Sequence, residues 1–128
     1  MYSILVCDDE KDIVSALKIY LMADGYQVFE AYNGKEALEV LKEQDIHLVL
    51  MDIMMPAMDG YQAARAIRGS GKKDAEMIPI IAITANAFAE DKRKTMEAGM
   101  NAHLSKPLNV PELMDTIRKF CAGKQICQ

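Results

Sequence analysis

The chain has 128 residues, 51% of them apolar and 27% charged, with a formal net charge of −4 at pH 7 and a pI near 5.1. That length and balance suit one globular domain with a substantial core. The acidic surplus, without a basic stripe interleaved with aromatics, argues against direct nucleic-acid binding. No apolar run approaches the ~18 residues of a membrane span.

The N-terminus enters Ile4-Leu5-Val6 without the charged and apolar regions of a signal peptide. Cys7, Cys121 and Cys127 have no metal-ligand spacing and form no disulfide framework, so a reducing cytoplasm is the expected setting. Ser3 to Cys7 reads as a buried strand with acids Asp8-Asp9-Glu10 at its exit. Ile13, Val14, Leu17, Tyr20 and Leu21 then recur at helical spacing up to a capping Gly25. Tyr26 to Ala31 carries Gln27 and Glu30 among apolar residues, a half-polar strand suited to a sheet edge.

Asn33 with Glu36 is an N-cap pair opening a helix through Ala37, Leu38 and Leu41. His47 to Met51 is predicted as a fully buried third strand, followed by Asp52 and the turn Met55-Pro56. Asp59-Gly60 starts a helix carrying Tyr61, Ala64 and Ile67, and Gly69 to Asp74 is a polar loop. Pro79 opens a fourth strand, Ile80 to Thr84, and the next helix stops at Gly99. Ala102 to Ser105 is a short fifth strand. Asn109 with Glu112 repeats the cap signature before a last helix with Leu113, Ile117, Phe120 and Cys121 on its buried stripe.

Five alternations of strand and helix predict an α/β fold with a parallel sheet covered on both faces. The half-polar second strand favours the flavodoxin-like (βα)5 three-layer sandwich with strand order 2-1-3-4-5. One domain is expected over residues 1–122, with 123–128 as a flexible C-terminal tail. Ligands in such sheets bind beyond the C-terminal strand ends where the order reverses, here between the first and third strands. That rim would gather Asp8 and Asp9, Asp52, Thr84-Ala85 and Lys106-Pro107. Three carboxylates in one place repel unless a cation joins them, and a hard divalent ion such as Mg²⁺ takes oxygen ligands of this kind. Taken singly, each residue also has an ordinary use as a helix cap, a strand end or a surface charge.

With Asp8-Asp9-Glu10, Met51-Asp52-Ile53-Met54-Met55-Pro56, Met58-Asp59-Gly60, Thr84-Ala85 and Lys106-Pro107 in place, the chain resembles the receiver domain of two-component response regulators over essentially its whole length. The resemblance implies that Asp52 is the phosphoacceptor, taking a phosphoryl group from a histidine of a sensor histidine kinase or a histidine phosphotransfer protein. It implies Mg²⁺ held by Asp9, Asp52 and the backbone carbonyl of Met54, with Asp8 acting through water. Thr84 would bind the phosphoryl oxygen, Lys106 would pair with the carboxylate or phosphoryl group, and Lys106-Pro107 would be a cis step. Such a domain catalyses its own phosphorylation and dephosphorylation without being a turnover enzyme.

Three positions depart from the family's common pattern. His103 stands where a Tyr or Phe often serves as a rotamer switch, and is expected either to turn inward with Thr84 or to be a partly exposed strand histidine. Met54 and Asn86 flank the route of the attacking water, and Met54, unable to orient water, implies a persistent phosphoryl state. The Thr84 to Asp91 and Ala98 to Asn101 segments are similar to receivers attached to hybrid sensor kinases, whereas the start is similar to a stand-alone regulator. The output face would be the fourth helix, fifth strand and fifth helix, including Phe88, Lys92, His103 and Arg118. It would serve a homodimer, an effector domain or a phosphotransfer protein. Competing classes are a receiver-like scaffold that acts without phosphorylation and an aspartyl-phosphate phosphatase. The second usually needs another Asp two residues past the nucleophile, where Met54 stands.

Overall fold

A computed structural model describes residues 2–53, 55, 59–70, 78–84, 92–106 and 108–124, without the side chains of 92, 94 and 121–124. The chain alternates β1 (Ser3–Cys7), α1 (Lys11–Ala23), β2 (Gln27–Ala31), α2 (Gly34–Glu43), β3 (Leu48–Asp52), α3 (Gly60–Arg68), β4 (Ile80–Thr84), α4 (Lys92–Glu97), β5 (Ala102–Ser105) and α5 (Val110–Lys124). All strand pairings are parallel, in the order β2-β1-β3-β4-β5. The flavodoxin-like arrangement is therefore present, with the half-polar β2 at one edge and the four-residue β5 at the other.

Alternation along each strand builds two cores. Leu5, Cys7, Val49, Met51, Ile80 and Ala82 face α2 and α3, where Ala37, Leu41, Ala64 and Ile67 meet them. Ile4, Val6, Leu48, Leu50, Ile81 and Ile83 face the opposite way, onto Val14, Leu17 and Leu21 of α1 and Leu113 and Ile117 of α5. Because β1, β3 and β4 are buried on both faces, their sequences are apolar runs with no polar alternation. Burying one such Leu or Ile contributes roughly 1.5–3 kcal/mol before ordering costs.

Turn chemistry sets the helix ends. Asn33 Oδ1 accepts the Glu36 N–H at 2.9 Å, while Glu36 Oε1 accepts the Tyr32 N–H at 2.9 Å. Asp59 and Gln62 form a reciprocal capping box at the start of α3, and Asn109 Oδ1 accepts the Glu112 N–H at 3.0 Å. Gly25 sits at φ 91°, where its N–H and that of Tyr26 close the last turn of α1 onto Met22 and Leu21 carbonyls.

Several boundaries differ from the sequence expectation: β2 starts at Gln27 rather than Tyr26, and α5 continues into the segment 123–128 expected as a flexible tail. The ladder of β3 extends one residue further, to Asp52, which lies opposite Ile83 of β4, and Ile53 N–H continues it to the Ile83 carbonyl at 3.0 Å. His47, expected as the first strand residue, lies just before β3, although its N–H donates to Ser3 O at 2.9 Å. At the other end of the chain α5 runs through Lys124.

The Asn33 cap gives a simple test of this layer of the structure. Asn33→Ala should cost about 1 kcal/mol, within the ~0.5–2 kcal/mol range of lost N-caps, as a lower urea midpoint with an unchanged slope.

Candidate functional site

The C-terminal ends of β1, β3 and β5 converge on one ammonium. Lys106 Nζ lies 3.2 Å from Asp8 Oδ2, 3.6 Å from Asp52 Oδ2 and 3.7 Å from Glu10 Oε1. Asp8 and Asp52 are 0% and 2% exposed, so both carboxylates sit where water cannot screen their repulsion. Burial pulls the Lys106 pKa down, but the charges of Asp52, Asp8 and Glu10 outweigh it and raise the value above an ordinary lysine. Lys106 is accordingly an ammonium at neutral pH.

Local geometry delivers each group. Asp52 continues the alternation of Leu48 and Leu50, which face α1 and α5, and the β3–β4 ladder holds its backbone. Asp8 N–H donates to Ala31 O at 3.1 Å, and Asp8 Oδ1 accepts the Glu10 N–H at 2.9 Å, fixing the turn into α1. Lys106 N–H donates to Thr84 O at 2.7 Å, tying the end of β5 to the end of β4. Thr84 itself is buried at 1% exposure beside this junction.

Behind the rim, Cys7 Sγ lies 3.6 Å from Met55 Sδ and 3.4 Å from Asn33 O. Burial first, and then the charges of Asp8 and Asp52, push the Cys7 thiol far up, so it is an inert packing group.

Asp8 Oδ2 is a sealed oxygen with no hydrogen bond of good alignment among the described residues; its contact with Lys106 is an ion pair only. Oxygens of Asp8, Asp9 and Glu10 lie within 4.8 Å of one another, all of them hard carboxylate donors. A buried oxygen without a well-aligned hydrogen bond, beside two further carboxylates, fits an oxygen-liganded divalent cation such as Mg²⁺. Glu10 is the member that sequence reasoning had not assigned a role. Its signal was a third consecutive acid, and its side chain is 62% exposed.

Of the other expected residues, His103 is half-buried on β5 opposite Ala82. Met54, Ala85, Asn86, Phe88 and Pro107 lie outside the described residues.

One close approach holds Asp52 from behind. Gly60 N–H donates to Ile53 O at 2.9 Å, and a Cβ at Gly60 would fall 2.5 Å from Asp52 O and 2.7 Å from Ile53 Cα. The first residue of α3 therefore rests directly on the backbone that carries Asp52. Beside the rim, Ile13, Leu17, Tyr20, Leu108 and Val110 line an apolar groove of ≈ 290 Å³, with Lys106 also on its wall.

Residues 4–118 match the family model described as the response regulator receiver domain. The sensor histidine kinase RcsC of Escherichia coli K12 is 40% identical over 117 residues, which is 91% of this chain and 12% of that protein. The chain thus spans a small part of that relative's length. Among solved structures, chemotaxis protein CheY4 of Vibrio cholerae superposes with a TM-score of 0.88 at 28% identity, covering 94% of this chain and 98% of that one. The receiver domain of sensor histidine kinase PA1611 from Pseudomonas aeruginosa PAO1, which has a magnesium ion coordinated in its active-site cleft, superposes with a TM-score of 0.85 at 32% identity over 94% and 98% of the two chains.

Two outcomes follow from the packing and the charge. Gly60→Ala should destabilise by about 1–3 kcal/mol, seen as a lower denaturation midpoint, with amide shifts at Asp52 and Ile53 as the backbone yields. In chelator-treated protein, Asp8→Asn should raise stability by about 1 kcal/mol, because one buried negative charge disappears while Lys106 keeps Asp52 and the side-chain oxygen for Glu10 N–H remains. A lower urea midpoint for Asp8→Asn would mean that the Lys106 attraction exceeds the carboxylate repulsion.

Proposed function

Since the chain belongs to the response regulator receiver domain family of two-component systems, we propose that Asp52 is its phosphoacceptor. The observation that carries this is the Lys106 ammonium held between the buried carboxylates of Asp8 and Asp52. That arrangement is poised to accept added negative charge at the end of β3. A sensor histidine kinase or a histidine phosphotransfer protein would present the donor.

In this reading a carboxylate oxygen of Asp52 attacks phosphorus as the P–N bond of the phosphohistidine breaks. The electron pair of that bond stays on the departing ring nitrogen, and the imidazole takes a proton from solvent. Phosphoryl transfer asks chiefly for alignment and for neutralised charge on the equatorial oxygens. Asp52 is aligned by the β3–β4 ladder and by Gly60 at its back. Lys106 is within reach to leave Asp52 and pair with a phosphoryl oxygen, and Thr84 at the end of β4 would donate its hydroxyl to another. Mg²⁺, held by Asp8, Asp9 and Asp52 with the Met54 carbonyl, would supply further positive charge when bound. Glu10 completes the acidic cluster at its outer side.

The apolar groove that Lys106 helps to line would receive an apolar part of the donor protein. His103, on the edge strand β5, is the candidate switch that would respond to Thr84, and the α4–β5–α5 face is the candidate output surface for a second copy or an effector. A His103 ring whose surroundings stay unchanged by NMR when a phosphate mimic binds would remove it from that role. A reducing cytoplasmic setting is consistent with the free, buried Cys7, and no helix among the described residues is long and apolar enough to cross a membrane.

Incubation with acetyl phosphate and Mg²⁺ should give a single phosphoryl adduct by intact mass, absent in Asp52→Asn and from chelator-treated protein. The adduct should outlast that of Met54→Asn, whose amide can orient water. An unmodified mass in the original protein would favour the scaffold reading, and sustained turnover of a generic phosphate ester would favour a hydrolase.

A further inference from the structure

The helix that rests on Asp52 is fastened at its other end by an arginine. Helix α3 is nine residues, about 13 Å long, and Tyr61, Ala63, Ala64 and Ile67 seat it in the core. Its last residue, Arg68, donates from Nη1 to Ile78 O at 2.7 Å, and from Nε and Nη2 to Gly99 O at 3.0 and 2.6 Å. Nη2 also reaches Asn101 Oδ1 at 2.9 Å. Ile78 precedes β4, and Gly99 and Asn101 form the turn between α4 and β5.

The acceptor side is itself cross-linked. Asn101 Oδ1 also accepts the Ile80 N–H at 2.8 Å, and Asn101 N–H donates to Ile80 O at 2.7 Å. The turn is thereby clamped to the first residue of β4, the strand that ends in Thr84. Gly99 sits at φ +92°, and a Cβ there would lie 2.9 Å from Arg68 Cγ, so the arginine stem lies flat against the bare turn. One rigid element thus touches the Asp52 backbone at one end and grips the α4–β5 turn at the other.

We propose that Arg68 is a positioning residue that couples Asp52 to the α4–β5 turn, with α3 as the strut between them. The inference rests on the phosphoacceptor reading of Asp52. A shift of the Asp52 backbone on phosphorylation moves Gly60, because no slack separates them. The packed helix carries the displacement to Arg68, whose planar fork holds two acceptors of the turn at once. Lysine has a charge but no fork, and can satisfy only part of this set. Contact is contiguous from the Asp52 backbone through α3 to the α4–β5 turn.

The probe is beryllofluoride with Mg²⁺, followed by amide chemical shifts in the unsubstituted protein, Arg68→Lys and Asn101→Ala. In the unsubstituted protein, titration should shift amides near Asp52, at Gly60 and at Gly99 to His103. In both variants the affinity should stay within about three-fold, while the beryllofluoride-induced shifts at Gly99 to His103 shrink by about two-fold or more. Asn101→Asp, which keeps an oxygen for both Arg68 and Ile80 N–H, should retain the response.

A merely structural role would move the resting positions of these amides and leave the increment caused by beryllofluoride intact. An intact increment in Arg68→Lys, or in Asn101→Ala if Arg68→Lys does not fold, overturns the coupling while leaving the role of Asp52 standing. No Mg²⁺-dependent beryllofluoride binding in the unsubstituted protein overturns both.

Discussion

Two carboxylates sealed at the end of a parallel sheet repel each other, and the molecule answers with Lys106 between them. Its ammonium reaches Asp8, Asp52 and Glu10 together, while only 19% of its side chain is exposed. A dry rim of this kind is costly to build. Strands buried on both faces hold Asp8 and Asp52 in it, and the junction of β4 with β5 brings the lysine across. Even so, one oxygen of Asp8 has no aligned hydrogen bond. The imbalance that remains is negative, as the carboxylates of Asp8, Asp52 and Glu10 outnumber the one ammonium.

The same elements explain why Asp52 is precise as well as charged. A carboxylate on a loose loop would lose orientation each time the chain moved. Here the ladder to β4 holds one side of the backbone and Gly60 blocks the other. The glycine is required for its missing side chain, since a Cβ would collide with main-chain atoms that can shift only by disturbing the β3–β4 ladder. Preorganisation at this point comes from backbone contact, which side-chain rearrangement cannot relax.

Strand order, helix caps and the set Asp8, Asp52 and Lys106 were legible because they rest on local rules. Apolar runs announce doubly covered strands, Asn33, Asp59 and Asn109 announce helix starts, and charges at strand ends stand out against apolar neighbours. The end of β3 was misplaced by one residue because a charged residue normally argues against a strand, and here the pairing with β4 overrides that preference. Glu10 stands in the sequence as one of three acids after β1 but without a role, because its exposed side chain gains meaning only from the turn that Asp8 shapes. Arg68 and Gly99 could not be paired from sequence at all. They lie 31 positions apart, and the spacing of neither carries any mark of the other.

The open edges of the sheet carry a different consequence. Among the described residues no strand pairs with the outer flanks of β2 and β5, and such flanks in many proteins invite a neighbouring chain to add on. Here both are short, at five and four residues, and β2 bears Glu30 bound by Lys18 and Tyr32. Short, partly charged margins are poor templates for self-association. Strand-to-strand addition between copies is thereby disfavoured, whatever contacts the helices offer.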